Sequence, residues 1–118
     1  MKDLSVVISL FNEAESLPEL VSRINNTATG MGVDFEIIMV NDGSTDNSWN
    51  VILSLSEQYS SLRAIRFRRN YGKSAALFCG FEAAQGAVVI TMDADLQDDP
   101  NEIPALYNMI RQQGYDLV

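Results

Sequence analysis

Residues 87–95, with the sequence AVVITMDAD, place a run rich in β-branched residues directly before two aspartates. The run is typical of a buried strand, and three similar runs precede it at residues 4–10, 35–40 and 62–67. Amphipathic helical patterns separate the runs. Strands that alternate with helices in this way predict a Rossmann-like α/β domain, in which helices flank a largely parallel sheet.

The first two helical segments have recognisable start and stop signals. Residues 16–19 (SLPE) form a capping-box pattern with proline in the first turn, and Gly30 and Gly32 are expected to stop the helix that follows. A second helix is predicted after the second strand, with Ser44 or Asp46 as its cap.

The last two helical segments differ in composition. Residues 74–84 are small and apolar on nearly all sides, which predicts a helix buried against the sheet. Residues 99–102 (DPNE) form another capping-box pattern and predict a final helix that Gly114 ends. Residues 115–118 are interpreted as the start of a further strand. We therefore expect residues 1–118 to be the N-terminal part of a larger domain.

The composition of the chain restricts its function. The 118 residues have a formal net charge of −8, which disfavours nucleic acid as a partner. The chain contains no histidine, which excludes zinc hydrolase sites and Ser-His or Cys-His catalysis, and the single cysteine excludes an internal disulfide. Every apolar run is shorter than the roughly 18 residues of a membrane span, so a cytoplasmic location is predicted.

Polar residues follow each predicted strand. They are Asn12 and Glu13 after the first, Asp42 and Gly43 after the second, residues 68–73 after the third, and Asp93 and Asp95 after the fourth. Ligands of open parallel sheets bind at the carboxyl ends of the strands, so these groups are expected to meet at one edge. Asp93 and Asp95 would point to the same side of an extended chain and suit a Mg²⁺ or Mn²⁺ ion that also binds substrate phosphates. A basic stretch is expected to face the acids; it comprises Arg63, Arg66, Arg68, Arg69 and Lys73.

None of these residues is specific on its own. Asp42 also fits an Asx turn, Asp99 fits a helix N-cap before a proline, and the aspartates of residues 93–95 also fit solvated loop acids. Residues 72–74 (GKS) are not a P-loop, because Phe67 occupies the position of its first glycine. No glycine-rich motif follows the first strand, which disfavours a dinucleotide site.

Taken together, the motifs resemble those of the family 2 glycosyltransferases, whose nucleotide-sugar-binding fold is of the GT-A type. The resemblance rests on residues 7–13 (VISLFNE), 40–46 (VNDGSTD) and 93–95 (DAD). Residues 69–77 (RNYGKSAAL) and 93–100 (DADLQDDP) are similar to the branch that makes polyprenyl-phosphate sugars.

The resemblance implies roles for individual positions. Glu13 and Asp42 match nucleoside contacts, with Asp42 reading the base, and Lys73 matches a residue that approaches the phosphates. The implied donor-binding residues are Phe11, Asn12, Glu13, Asp42, Lys73, Asp93, Ala94 and Gln97, and the implied metal ligands are Asp95 and Asp93.

The resemblance also implies a reaction. A sugar would pass, with inversion, from a UDP-sugar or GDP-sugar to an acceptor that is a lipid phosphate, with Mg²⁺ or Mn²⁺ as cofactor. Because a polyprenyl phosphate is already anionic, it has less need of a general base; any such base is expected beyond Val118. The complete protein would associate with the membrane at its cytoplasmic face.

Two other functions stay open. A non-catalytic nucleotide-binding module would use the same strand-end residues. A nucleotidyltransferase also places acids at strand ends, although it normally has a glycine-rich loop where this chain has Asn12 and Glu13. Separately from its function, an open sheet edge would allow copies of the chain to associate into a homo-oligomer.

Overall fold

The computed structural model describes residues 2–113, which form one parallel sheet flanked by helices. The strands are β1 (Lys2–Leu10), β2 (Phe35–Asn41), β3 (Leu62–Arg66) and β4 (Gly86–Asp93). The helices are α1 (Leu17–Met31), α2 (Ser48–Gln58), α3 (Lys73–Ala83) and α4 (Ile103–Gln113), and a 3₁₀ turn at Pro100–Glu102 leads into α4. The predicted helix end at Gly114 and the predicted strand at residues 115–118 lie outside the described residues.

The sheet has the order β3-β2-β1-β4, and every pairing in it is parallel. This confirms the predicted α/β fold with a parallel sheet and flanking helices. Residues 4–8 of β1 are buried without a break. A continuous buried run is expected for a central parallel strand because helices cover both of its faces.

The two faces of the sheet have separate cores. On one face, Leu4, Val6 and Ile8 of β1 belong to the larger core, which also contains residues of α1, α2 and α4. On the opposite face, Val7 packs with Ala76 of α3. Successive strand residues point to opposite faces, so β1 alone contributes to both cores.

The prediction that residues 74–84 form a helix buried against the sheet is correct for the contact with the sheet and wrong for the burial. Only Ala76 and Gly80 of α3 are buried, and Phe78 is 60% exposed. A Cβ built on Gly80 would lie 2.4 Å from Cγ1 of Val7, so the helix backbone rests almost directly on β1. The small residues of α3 therefore allow one face of the helix to approach the sheet closely, whereas the larger Phe78 faces solvent.

The helix ends correct two predictions, the cap at Ser16 and the stop at Gly30, and support others. Ser16 does not cap α1: its backbone is already helical and its side chain makes no capping hydrogen bond. Gly30 lies inside α1, and Gly32 ends the helix in the left-handed region with φ 72°. Asp46 accepts a hydrogen bond from the first N–H of α2, and Asp99 accepts one from the N–H of Asn101, as their predicted capping roles require.

Glu36 anchors the edge of the sheet away from the polar strand ends. This side chain is 1% exposed and accepts hydrogen bonds from Ser5 Oγ at 2.6 Å, the Gln85 N–H at 2.7 Å and Arg63 Nη1 at 2.7 Å. Burial by itself raises the pKa of Glu36, but the hydrogen bonds from Ser5, Gln85 and Arg63, with the charge of Arg63, lower the pKa below its ordinary value. Glu36 is therefore a buried carboxylate held in its charged form.

Trp49 joins α2 to the end of β3. Its ring packs against the larger core, and the guanidinium carbon of Arg66 lies 5.4 Å from the ring centroid. This is the geometry of a cation–π contact. In residues 2–113, no helix has both the length and the hydrophobicity needed to cross a membrane.

Candidate functional site

The carboxyl ends of the four strands lie side by side. In the sheet register, Leu10 of β1 pairs with Asn41 of β2, and Ser9 pairs with Asp93 of β4. Asn41 pairs in turn with Arg66 of β3. The four segments that follow the strands therefore leave the sheet at one edge, as the sequence predicts.

A cleft of about 290 Å³ opens at this edge. Its lining residues are Ser9, Leu10, Phe11, Glu13, Asp42, Lys73, Asp93, Ala94 and Asp95. The structure thus brings together all the predicted donor and metal residues except Asn12 and Gln97. Ser9 and Leu10 were not predicted, because the end of a buried strand has no sequence signal that distinguishes a wall of a cleft from core.

Asn12 fastens the loop after β1 to the loop after β2. Its backbone is left-handed, with φ 55°, a region that asparagine tolerates better than most residues. Its side-chain oxygen accepts from the N–H groups of Thr45 and Asp46 at 2.8 and 3.1 Å, and its own N–H donates to Ser44 Oγ at 2.9 Å. The side chain of Asn12 is thus occupied in shaping the rim of the cleft.

Glu13 and Ser16 connect this rim to the end of β4. The Glu13 N–H donates to Ser48 Oγ at 3.1 Å, and the side chain of Glu13 lines the cleft. The hydroxyl of Ser16 lies within hydrogen-bond distance of the carbonyls of Glu13 and Ala94. Ser16, which the sequence indicated as a helix cap, therefore bridges two walls of the site.

Asp42 holds the segment that precedes α3. The residue is 4% exposed. Its Oδ1 accepts from the Tyr71 N–H at 2.8 Å, and its Oδ2 accepts from the Gly72 N–H at 3.1 Å and from Asn70 Nδ2 at 3.2 Å. The Asn70 amide also donates to the Asp42 carbonyl at 3.2 Å. The alternative interpretation of Asp42 as an Asx-turn residue did not predict these hydrogen-bond partners, because they lie 28 to 30 residues further along the chain.

Gly43 allows the turn after β2 to contact the segment that precedes α3. It has φ 72°, and a Cβ at this position would lie 2.1 Å from the carbonyl carbon of Arg69. A side chain is therefore excluded here both by the left-handed backbone and by the neighbouring peptide.

Lys73, the first residue of α3, pairs with the acids at the end of β4. Its Nζ lies 2.6 Å from Oδ1 of Asp93. The hydrogen bond and charge of Asp93 raise the pKa of Lys73, and the charges of Asp98 and Asp95 raise it further. Because the Lys73 and Asp93 side chains are 61% and 44% exposed, solvent screens the pair and it contributes little to stability.

The acids after β4 form a tight loop. Asp98 Oδ2 accepts from the Asp93 N–H at 2.9 Å, and Asp95 Oδ1 accepts from the Gln97 N–H at 3.1 Å. Leu96, which lies between Asp95 and Gln97, has a left-handed backbone with φ 67°, and this conformation is costly for leucine. Strain of this kind is often found at functional sites.

The donor set suits a metal that is bound together with a ligand. Within residues 2–113, no group of three or more His, Cys, Asp or Glu side chains is arranged to hold a metal ion by itself. Asp93 and Asp95 nevertheless line one cleft. Magnesium in particular commonly binds through one or two carboxylates plus substrate phosphates, so these residues fit such an ion.

The basic stretch is more dispersed than the sequence suggested. Lys73 faces the acids, but Arg63 pairs with Glu36 at the other end of β3. Arg66 lies over Trp49, and Arg69 lies over the Tyr71 ring with 4.9 Å between its guanidinium carbon and the ring centroid. The prediction of one basic patch opposite the acidic cluster is therefore wrong for Arg63, which belongs to the structural ion pair.

The fold and cleft are those of an α/β domain with its polar site at the carboxyl edge of a parallel sheet. Residues 5–118 match the family described as Glycosyl transferase family 2. The chain belongs to this family, and the resemblance noted from its motifs is confirmed.

Among curated proteins, the chain is similar to an undecaprenyl-phosphate 4-deoxy-4-formamido-L-arabinose transferase of Pseudomonas syringae pv. syringae (strain B728a). The two are 45% identical over 119 aligned positions, which cover 100% of this chain and 35% of the relative. The chain thus spans about a third of that protein's length.

Among solved structures, a mannosyltransferase of Pyrobaculum calidifontis in complex with GDP-Man and Mn²⁺ has a TM-score of 0.77 at 22% identity. The match covers 94% of this chain and 34% of that one. S. aureus TarS in complex with UDP-GlcNAc has a TM-score of 0.73 at 18% identity, with 95% and 32% of the two chains covered. These likenesses support the GT-A fold.

Proposed function

We propose that this chain is the donor-binding part of an inverting glycosyltransferase that moves a sugar from a nucleoside-diphosphate sugar to a polyprenyl phosphate. The observation that carries the proposal is the cleft, which has Asp42 and Glu13 among its walls together with Lys73, Asp93 and Asp95. An uncharged nucleoside and an anionic diphosphate with its cation need this combination of groups.

Each residue has a proposed task. Glu13 and Asp42 contact the nucleoside, and Asp93 lies near the ribose and the metal. Asp95 ligates the metal, Lys73 approaches the diphosphate and Gln97 lies near the sugar. Phe11, Ala94 and the backbone of Asn12 complete the donor contacts.

The chemistry of this chain is stabilisation of the leaving group. As the bond from sugar to diphosphate breaks, negative charge develops on the departing oxygens, and the Lys73 ammonium donates to them. The divalent ion, Mg²⁺ or Mn²⁺, when bound, would neutralise part of the same charge. Lys73 is exposed, so its side chain is free to exchange Asp93 for phosphate oxygens.

The acceptor is proposed from the relative, whose name specifies undecaprenyl phosphate. A phosphate acceptor is already a nucleophile at neutral pH, so no general base is assigned within this chain. A membrane-bound acceptor also implies that the complete protein works at a membrane surface, with its sugar nucleotide supplied from the cytoplasm.

The proposal is tested by calorimetric titration of the chain with UDP and with GDP, each with and without Mn²⁺. One nucleotide should bind, and its affinity should fall strongly when Mn²⁺ is omitted. Asp95→Asn should lower the Mn²⁺-dependent affinity by more than about tenfold, since a metal ligand is lost.

The matched control is Asp34→Asn, which makes the same charge change at Asp34, where the side chain pairs with Lys2 at 3.3 Å. This variant should bind like the wild type. Binding that needs no metal, or equal losses in the two variants, would contradict the assignment of Asp95, and no binding of either nucleotide would contradict the proposed function of this chain.

A further inference from the structure

Asp42 contacts both the cleft and the segment that presents Lys73. Its carboxylate accepts the N–H groups of Tyr71 and Gly72, which are the two residues directly before Lys73. Those bonds fix the start of α3, because Gly72 is the N-cap residue directly before the helix. The position of the Lys73 backbone therefore depends on Asp42.

A second set of contacts strengthens this dependence. Asn70 donates to both the carboxylate and the carbonyl of Asp42, and Gly43 packs directly against the Arg69–Asn70 peptide. Residues 69–72 are thus held at several points by the turn at residues 42–43. The Lys73 side chain extends from this fixed segment to Asp93 at 2.6 Å.

We infer that Asp42 is the positioning residue for Lys73, so that one carboxylate couples the nucleoside end of the site to its phosphate end. The inference rests on the proposed function for the identity of the ligand, but the coupling itself belongs to the free protein. A carboxylate offers about four acceptor positions, and Asp42 uses three of them on residues 70–72. A base N–H that donates to Asp42 would use the remaining acceptor position. Base binding would then act on the same carboxylate that holds residues 70–72.

The first test needs no ligand. The chain has only two lysines, Lys2 and Lys73, and each is paired with an aspartate. The rate of acetylation of each by acetic anhydride, followed by mass spectrometry, reports how firmly each ammonium is held. Lys2, in its pair with Asp34, is the internal standard.

Asp42→Asn replaces one carboxylate oxygen by an amide NH₂ group, which donates rather than accepts, so either the Tyr71 N–H or the Gly72 N–H loses its acceptor. The acetylation rate of Lys73 should rise about two- to fivefold relative to Lys2, the range expected for loss of an exposed ion pair. Asp93→Asn, which removes the partner itself, sets the upper reference, and the double variant should show no further rise. If Lys73 reacts at the wild-type rate in Asp42→Asn but faster in Asp93→Asn, the inference is overturned.

A base-free ligand provides the second test. Inorganic pyrophosphate with Mn²⁺ occupies the phosphate end without touching a base site. If Asp42 positions Lys73, Asp42→Asn weakens pyrophosphate binding and has no added effect on top of Lys73→Met. If Asp42 serves the base alone, pyrophosphate binds Asp42→Asn as it binds the wild type.

Asn70→Ala keeps the Asp42 carboxylate and removes only the amide clamp, so it replaces Asp42→Asn if that variant does not fold. It should raise the Lys73 acetylation rate by a smaller factor, and an unchanged rate counts against the inference. Failure of the wild type to bind nucleotide or pyrophosphate contradicts the proposed function and leaves the acetylation result to decide the role of Asp42.

Discussion

Lys73 has one partner in the free protein and is proposed to have another in the complex. Its pairing with Asp93 offsets part of the repulsion among the acids at residues 93–98, which otherwise lie close together with like charge. In the proposed complex, a diphosphate with its divalent ion would bring both a new anion for Lys73 and a new cation for Asp93. The ion pair would then be exchanged for two attractive contacts, and no carboxylate would lose its counter-charge.

This exchange leads to a prediction for Lys73→Met. The variant should bind the preferred nucleoside diphosphate about tenfold or more weakly, the usual effect of losing a hydrogen bond to a charged group. The corresponding nucleoside should be affected much less, because it has no phosphate. Calorimetry with both ligands measures the difference.

Arg68→Met is the control for net charge, since it removes one positive charge from the exposed residue Arg68 of the same segment. An equal loss of diphosphate affinity in both variants would mean that Lys73 acts only through long-range charge.

Helix α3 is in close contact with the sheet. Gly80 has no side chain where Val7 of β1 comes nearest, and Ala76 is buried on the same face. A helix that lies this close cannot shift without displacing β1. The N-terminal residue of α3 is Lys73, so the packing of the helix also fixes the site.

Gly80→Ala should therefore destabilise the chain by about 1 to 2 kcal/mol, because the cost of overpacking exceeds the gain in helix propensity. Gly30→Ala is the matched control: it lies in α1 with no atom within 4 Å of the added Cβ. That variant should stabilise the chain by up to about 1 kcal/mol. Urea unfolding followed by circular dichroism measures both values, and a stabilised Gly80→Ala would contradict the close packing.

The elements and much of the site could be predicted from local sequence, but the long-range contacts could not. β-Branched runs locate the strands because burial on both faces requires them, and acids directly after a strand mark the binding edge. The exposure of Phe78 depends on which face of α3 meets the sheet, and an almost wholly apolar helix gives no signal for this. Ser16 fits a cap pattern whether or not Ala94, 78 residues away, comes near its hydroxyl.

Considered as one body, the sheet has different chemistry at its two ends. The carboxyl edge has the cleft, whereas the opposite edge is closed by the Glu36 cluster and by the pair of Lys2 with Asp34. The buried Glu36 at the closed end is hydrogen-bonded within the sheet and does not line the cleft, so we expect it to stabilise the strands without taking part in binding. Stability and binding can therefore be altered separately.

Acid should reveal the contribution of the closed end. The pKa of Glu36 is lower in the folded chain than its ordinary value of 4.5, so its contribution to stability is fully present above that pH and is lost as the pH falls through the folded pKa. At neutral pH, Glu36→Gln should cost about 2 kcal/mol. The difference from the wild type should shrink below pH 4.5 in urea unfolding curves.

Asp34→Asn, at an exposed acid of the same end, should change this pH profile little. A difference between Glu36→Gln and the wild type that stays constant down to pH 3 would show that Glu36 is not held in its charged form.

The contact of Trp49 with Arg66 gives the chain an optical property. Trp49 is its single tryptophan, and the indole packs against the larger core while the guanidinium lies over its face. All indole fluorescence therefore arises at the junction of α2 with β3. Separation of that helix from the sheet would bring water to the ring and move the emission to longer wavelength, so the intact domain reports its own assembly without an added label.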